Sequence, residues 1–191
     1  MTPLLERATV VAVGPGLGQS EWSKALFEKV KDSRLPMVMD ADALNLLAER
    51  PSELPNAILT PHPKEAARML GASAVSRDRL EVLRALQDRY QSVVVLKGAA
   101  TLVHDGKRAL INQTGAPAMA TAGMGDALTG CIAGLVAQGL VLGQAAAQGV
   151  AHHGRAGEWA SADLGEVAVL ASDVIARLGR SFRGDAYAPF P

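Results

Sequence analysis

Short apolar runs alternate along the chain with segments whose apolar residues recur at helical spacing. Ala8–Val13 (ATVVAV), Pro36–Asp40 (PMVMD), Asn56–Thr60 (NAILT) and Ser92–Leu96 (SVVVL) read as strands. None keeps a strict in–out alternation, which is the pattern of parallel strands covered on both faces. Between them Glu21–Val30, Asp42–Glu49, Lys64–Leu70 and Arg77–Tyr90 read as helices, the second stopped before Pro51 and the third by Gly71. Thr101–His104 and Arg108–Asn112 flank Asp105-Gly106, a hairpin turn signal. From Gly125 onward the pattern is helical, at Asp126–Ala137, Gln144–Ala160 and Val167–Leu178, and the tail from Phe182 to Pro191 reads as irregular. Strands alternating with helices predict an α/β fold, a three-layer αβα sandwich on a mostly parallel sheet. A length of 191 residues fits one domain over 1–191.

Ligands of such sheets bind beyond the carboxyl ends of the strands. Four unusual loops fall there: Gly14–Gly18, Asp40–Asp42, Pro61–Pro63 and Lys97–Thr101. Nineteen basic and nineteen acidic side chains cancel, which argues against a broad surface for nucleic acid or for a membrane and leaves room for a local basic pocket. Aromatics at 4% do not suit a stacking platform for single strands. A single cysteine, Cys131, excludes an internal disulfide and a Cys-based zinc site and fits a reducing cytoplasm. The stretch Ala127–Gly154 contains no Asp, Glu, Lys or Arg. Gln138, Gly139, Gly143, Gln144 and Gln148 interrupt it, so two buried helices explain it better than a membrane span. The Met1–Arg7 start has no apolar signal-peptide core.

The strongest chemical signal is Thr121-Ala122-Gly123-Met124-Gly125-Asp126, followed by an apolar helix. Glycines let backbone approach a ligand closely, and the amides at a helix start form an anion site for phosphate oxygens. An aspartate there is either a base taking a proton from a hydroxyl that attacks phosphorus, or a helix cap. Lys97-Gly98-Ala99-Ala100-Thr101 follows a buried strand, so Lys97 either meets phosphate or sits in an exposed turn. Gly14-Pro15-Gly16-Leu17-Gly18 lacks the dinucleotide spacing, and a tight turn also explains it. Asp40 and Asp42 are candidates for a hydrated Mg²⁺ held through water, with Asp42 alternatively the N-cap of the next helix. His62, between two prolines, faces a ligand or caps the helix after it. His152 and His153 point about 100° apart on one helix and cannot chelate one metal, so packing or a subunit contact fits them. No G-x-S-x-G elbow and no H-E-x-x-H pair occurs, and Cys131 falls inside an apolar helix as an inert core residue.

Taken in order, VVAVGPGLG, VMDADALNLL, ILTPHPKEAARML, VVVLKGAATLV and NQTGAPAMATAGMGDALTGCIAGL resemble the ADP- or ATP-dependent NAD(P)H-hydrate dehydratase family over about Val10 to Trp159. The resemblance implies a ribokinase-like fold, often the C-terminal half of a bifunctional repair enzyme. It also implies that hydrated NADH or NADPH is returned to the normal cofactor with ADP or ATP as co-substrate and Mg²⁺ neutralising the phosphates. Asp126 would deprotonate the 6-hydroxyl of the hydrated ring and contact the substrate, and Gly123 and Gly125 would hold the developing phosphate charge. Lys97, Gly98, Ala99, Ala100 and Thr101, with Gly125, would line the nucleotide site, and Gly16 and His62 would contact the hydrated dinucleotide. Family domains begin well upstream of the GPGLG segment, so a shortened sheet lacking the usual first strands, with an exposed edge, is expected. A homo-oligomer, possible as a tetramer, and an NAD(P)H-hydrate epimerase partner are implied as well. Two rival readings share these residues: a ribokinase-like kinase for a vitamin precursor or sugar, and a truncated, non-catalytic adenine-nucleotide-binding subunit.

Overall fold

A computed structural model describes residues 2–73 and 76–183. After a four-residue helix α1 (Thr2–Leu5), the chain forms β1 (Val11–Val13), α2 (Glu21–Asp32), β2 (Met37–Met39), α3 (Ala41–Glu49), β3 (Ala57–Leu59), α4 (Pro63–Met69), α5 (Arg79–Tyr90) and β4 (Val93–Leu96). The hairpin β5 (Leu102–His104) and β6 (Ala109–Ile111) follows, then a 3₁₀ turn at Pro117–Met119 and helices α6 (Met124–Ala137), α7 (Leu142–Leu164) and α8 (Ala171–Phe182). The six strands pair in chain order, β1 to β4 parallel and β4–β5 and β5–β6 antiparallel. Parallel pairing needs a helical crossover at each step, and α2, α3, and α4 with α5 supply them.

The apolar runs do cover both faces. Met37, Met39, Leu59, Val94 and Leu96 pack with Phe27, Leu44, Met69, Leu83 and Leu86 of the helices α2 to α5 on one side. Val38, Ile58, Val93 and Val95 pack with Leu128, Ile132, Val136 and Val150 of α6 and α7 on the other. Neighbouring residues of one strand thus point to opposite apolar layers, which removes the polar half of an alternating pattern. The sandwich has three layers, as expected. β1 is an outer strand whose Ala12 is exposed, an open edge among the described residues.

The charge-free stretch divides into α6 and α7 around Gln138–Val141, and no described helix is long and apolar enough to cross a membrane. The last helix is displaced from its expected place at Val167–Leu178. Val167 is fully exposed, and α8 begins only after Leu170, whose amide donates to Asp173 Oδ2 (2.8 Å). The acidic residue three positions in, rather than the apolar spacing, sets this start. Phe182 closes α8 instead of opening an irregular tail, and residues 184–191 of that tail lie outside the described residues.

Candidate active site

Because β1 to β4 run parallel, the four unusual loops emerge at one edge of the sheet. The loop after β1 lies directly on the end of β2. Gly14 has φ +131°, and a Cβ there would stand 1.7 Å from the Asp40 carbonyl oxygen, so only glycine fits. The Gly18 amide donates to Asp42 Oδ2 (2.8 Å), tying the far end of that loop to α3. Asp42 is therefore not the cap of α3. Asp40 is, in extended conformation, with Oδ1 accepting from the Ala41 amide (2.9 Å). Asp42 sits within the first turn and has turned to the neighbouring loop.

Asp40 is almost wholly buried, and its carboxylate joins three elements. Lys97 at the end of β4 donates to Oδ1 (2.5 Å), and Thr129 of α6 donates to Oδ2 (3.1 Å). Glu65 of α4, also buried, lies 4.0 Å from the Lys97 ammonium. A buried carboxylate is stable only when paired and hydrogen-bonded in this way. Lys97 is thus no exposed turn lysine, and the geometry gives Asp40 an ammonium and a hydroxyl as partners.

α6 opens differently. Its N-cap is Gly123, in the left-handed region at φ +83°, which offers no side chain to cap the amides of the first turn. Asp126, the third residue in, is exposed and makes no hydrogen bond or ion pair among the described residues. The capping role for Asp126 is therefore not what the structure adopts. A carboxylate in the uncapped first turn of a fourteen-residue helix, with no partner among the described residues, keeps its oxygens free. A Cβ on Gly125 would come within 3.2 Å of both Asp40 Oδ2 and Lys97 Nζ, so the first turn of α6 presses on the buried pair.

Beside this turn lies a cavity of about 550 Å³. Lys97, Gly98, Ala99, Ala100 and Thr101 line it, as does Gly125, so the residues expected at one nucleotide site do share one cavity. Gly16, His62, Gly123 and Asp126 do not line it: Gly16 is in the loop after β1, His62 and Gly123 are the N-caps of α4 and α6, and Asp126 is in the first turn of α6. The segment 112–117 lines it too, with Gly154 and His153 of α7; the sequence reading gave none of them a place in the site, taking His153 for packing or a subunit contact. That segment is pinned to α7: Thr114 Oγ1 donates to the Ala151 carbonyl (3.0 Å) and the Gly115 amide donates to Glu158 Oε1 (2.9 Å).

Arg79 was also missed. Its guanidinium, at the start of α5, donates to the carbonyls of Leu96 (3.2 Å), Ala99 and Ala100 (3.3 Å), bracing the loop in which Ala100 holds φ +51°. These partners are about twenty residues apart in sequence and carry no local signal, since any arginine could bind any carbonyl.

His62 does cap its helix: Nδ1 accepts from the Lys64 and Glu65 amides (3.1 and 3.2 Å), and Glu65 Oε2 accepts from the His62 amide (2.7 Å). Its ring remains half-exposed. His153 is buried, and burial pushes its imidazole down to about 4, against a weaker opposing pull from the Met124 backbone. His152 pairs with Ser181 Oγ (2.8 Å) and packs on the Phe182 ring, in keeping with a packing role. Burial pushes the Cys131 thiol up to about 11, which makes it unreactive. Among the described residues no three His, Cys, Asp or Glu side chains gather that could hold a metal. The carboxylates of Asp40 and Asp42 are already engaged with protein donors, so the residues present do not form a cage for Mg²⁺.

A sheet with four parallel strands and a glycine-rich helix start at their carboxyl edge defines the class: an α/β protein of ribokinase-like architecture. The fold is similar to a ribokinase-like superfamily protein from Enterococcus faecalis V583, with a TM-score of 0.82, 25% identity, and coverage of 96% of this chain and 66% of that one. It is also similar to an ADP/ATP-dependent NAD(P)H-hydrate dehydratase from Bacillus subtilis, co-crystallized with ATP and Mg²⁺, with a TM-score of 0.81, 31% identity, and coverage of 92% and 64%. The family is specified by sequence. The family model for NAD(P)H-hydrate dehydratase matches residues 1–180, and the chain belongs to that family. A bifunctional NAD(P)H-hydrate repair enzyme from Coxiella burnetii is 51% identical over 181 residues, 93% of this chain. The chain spans 37% of the length of that relative.

Proposed function

We propose that the chain dehydrates hydrated NADH or NADPH, using ADP or ATP to turn a poor leaving group into a good one. The observation that carries this is Asp126: an exposed, unpartnered carboxylate in an uncapped helix turn whose Gly125 borders the cavity. Family membership supplies the substrate class. The adenine nucleotide occupies the cavity along Lys97, Gly98, Ala99, Ala100 and Thr101, with its phosphates directed to the first-turn amides of α6 at Gly123 and Gly125. Gly16 and His62 contact the hydrated dinucleotide from the neighbouring loops.

Asp126 takes the proton of the 6-hydroxyl as that oxygen bonds to the terminal phosphorus, and the bridging P–O bond breaks to release AMP or ADP. The α6 amides answer the charge that develops on the phosphoryl oxygens. The C6–O bond then breaks, with the ring-nitrogen lone pair replacing the departing electrons, and inorganic phosphate leaves. Loss of a proton from C5 restores the dihydronicotinamide double bond. Mg²⁺ would come with the nucleotide phosphates and neutralise their charge; among the described residues no cluster of three His, Cys, Asp or Glu could hold it. In this reading residues 1–191 are one domain, the chain works in the cytoplasm as a homo-oligomer, and an epimerase acts on the same hydrates.

The test supplies hydrated NADH, ADP or ATP, and Mg²⁺ to the purified chain, following dihydronicotinamide absorbance and phosphate release. Nucleotide-dependent recovery is expected. Asp126→Asn should lower turnover by about 10²- to 10⁴-fold while ADP affinity and melting temperature stay near the parent's. A stable phosphorylated product would replace this reading with a kinase. No turnover from a folded, ADP-binding chain would replace it with a binding subunit.

A further inference from the structure

We propose that Asp40 is a positioning residue for the reaction: with Thr129 it fixes the Lys97 ammonium against the first turn of α6, where the nucleotide phosphates are to be held. This rests on the dehydratase reading for its nucleotide and goes beyond it in assigning Asp40 and Thr129. A cation pressed on the positive end of a helix is electrostatically unfavourable. Lys97 nevertheless stands there, its Nζ 3.2 Å from where a Gly125 Cβ would lie, and it lines the cavity. The ammonium, already paired with Asp40, and the uncapped first turn of α6 adjoin one another at the cavity, an arrangement that suits a further anion. Without that anion they repel each other, and Asp40 is what holds them together. Its carboxylate is itself immobile, nearly fully buried, with Oδ1 accepting from the Ala41 amide and Lys97, and Oδ2 accepting from Thr129. Thr129 lies one turn beyond Gly125 on α6, so a single carboxylate links the lysine to the helix that carries Asp126. Lys97 therefore reaches the phosphates in a fixed position rather than as a wandering surface charge.

The test is Asp40→Asn. An asparagine keeps the shape: its Oδ1 still accepts from Ala41, and its amide can donate to the Thr129 hydroxyl. Lys97 loses its anchoring charge, and Glu65 at 4.0 Å keeps the ammonium from being left alone. Turnover should fall about tenfold or more, with the KM for nucleotide within about threefold, because a displaced group costs mainly the transition state. Thr129→Val should give the same split at about threefold, having removed one hydrogen bond. Independently of turnover, acetylation of Lys97 by an N-hydroxysuccinimide ester, read by peptide mass mapping, should be slow in the parent and about tenfold faster in Asp40→Asn, as one charge-assisted bond is lost.

An unchanged acetylation rate overturns the proposal whatever turnover does. Faster acetylation with parental turnover overturns it as well. A parent chain that folds but never restores the cofactor sinks the dehydratase reading instead. In that case the acetylation rates with and without ADP still report whether Asp40 holds Lys97 at a nucleotide site. Saturating ADP that slows acetylation of Lys97 less in Asp40→Asn than in the parent upholds the clamp, and equal slowing overturns it.

Discussion

The buried cluster at the ends of β2 and β4 and the exposed start of α6 lie at the same edge of one sheet, and they treat polar groups in opposite ways. Asp40 and Thr129 are buried, and Lys97 and Thr129 donate to the Asp40 carboxylate at 2.5 and 3.1 Å. Asp126 has no partner among the described residues and stands in solvent. Engaged groups are fixed and their lone pairs are spoken for, so they position. An unengaged carboxylate keeps its lone pairs for a proton, so it can react. The division separates geometry from chemistry within a site, and it says which kind of loss each substitution causes.

Gly14→Ala attacks the buried side hardest. The new methyl would meet the Asp40 carbonyl oxygen at 1.7 Å, and alanine does not tolerate φ +131°. Overpacking and backbone strain together cost about 3 kcal/mol or more. Urea unfolding should show that loss, and ADP affinity should fall with it, since the β1 loop and Asp40 move as one. Asp126→Asn, by contrast, leaves stability alone. Equal stability losses from the two substitutions would dissolve the distinction.

His153 provides a buried group at the same cavity without a charged partner. Its imidazole titrates near 4 in the fold against about 6.5 when unfolded. Above pH 6.5 both states are neutral and stability does not respond. Between about 6.5 and 4 the unfolded chain takes up a proton that the fold refuses, so stability falls as pH falls, reaching a loss of about 3 kcal/mol below pH 4. His153→Gln removes that slope. His152 is shifted the same way by burial, so the variant flattens the acid limb without abolishing it. Melting curves from pH 7 to 4 for parent and variant measure the difference, and identical slopes would show that His153 is protonated within the fold.

The exposed side was more legible in the sequence than the buried one. Gly123, Gly125 and Asp126 are consecutive, so their chemistry could be read from one hexapeptide, as could the Lys97–Thr101 loop. Strand ends were legible too, because the four apolar runs are closed by Gly14, Asp40, Thr60-Pro61 and Lys97. The cluster was not: Asp40 meets Lys97 across 57 residues and Thr129 across 89, and only the β-strand order brings them together. Arg79 and the segment 112–117 were hidden for the same reason, and so was the place of His153, read only as packing or a subunit contact, at the cavity. The cap role offered as one alternative for Asp42 falls to Asp40, because a local rule fits either aspartate and the choice is made by Gly18, 24 residues from Asp42. α8 was placed too early because Val167 has the right spacing but no neighbour to bury it.

Ala41→Gly sharpens the comparison by the smallest step. Ala41 holds φ +46° immediately after Asp40, a conformation that costs an alanine about 1 kcal/mol and a glycine little. Relief of that strain should raise stability by about 1 kcal/mol, or roughly 2–4 °C in melting temperature for a chain of this size. Two outcomes for turnover are distinguishable. If backbone strain aims the Asp40 carboxylate, glycine loosens it and turnover drops as in Asp40→Asn. If side-chain partners aim it, turnover stays parental. The second is expected, because Lys97 and Thr129 hold two oxygens from two different elements, and rotation about φ of residue 41 leaves both bonds in place.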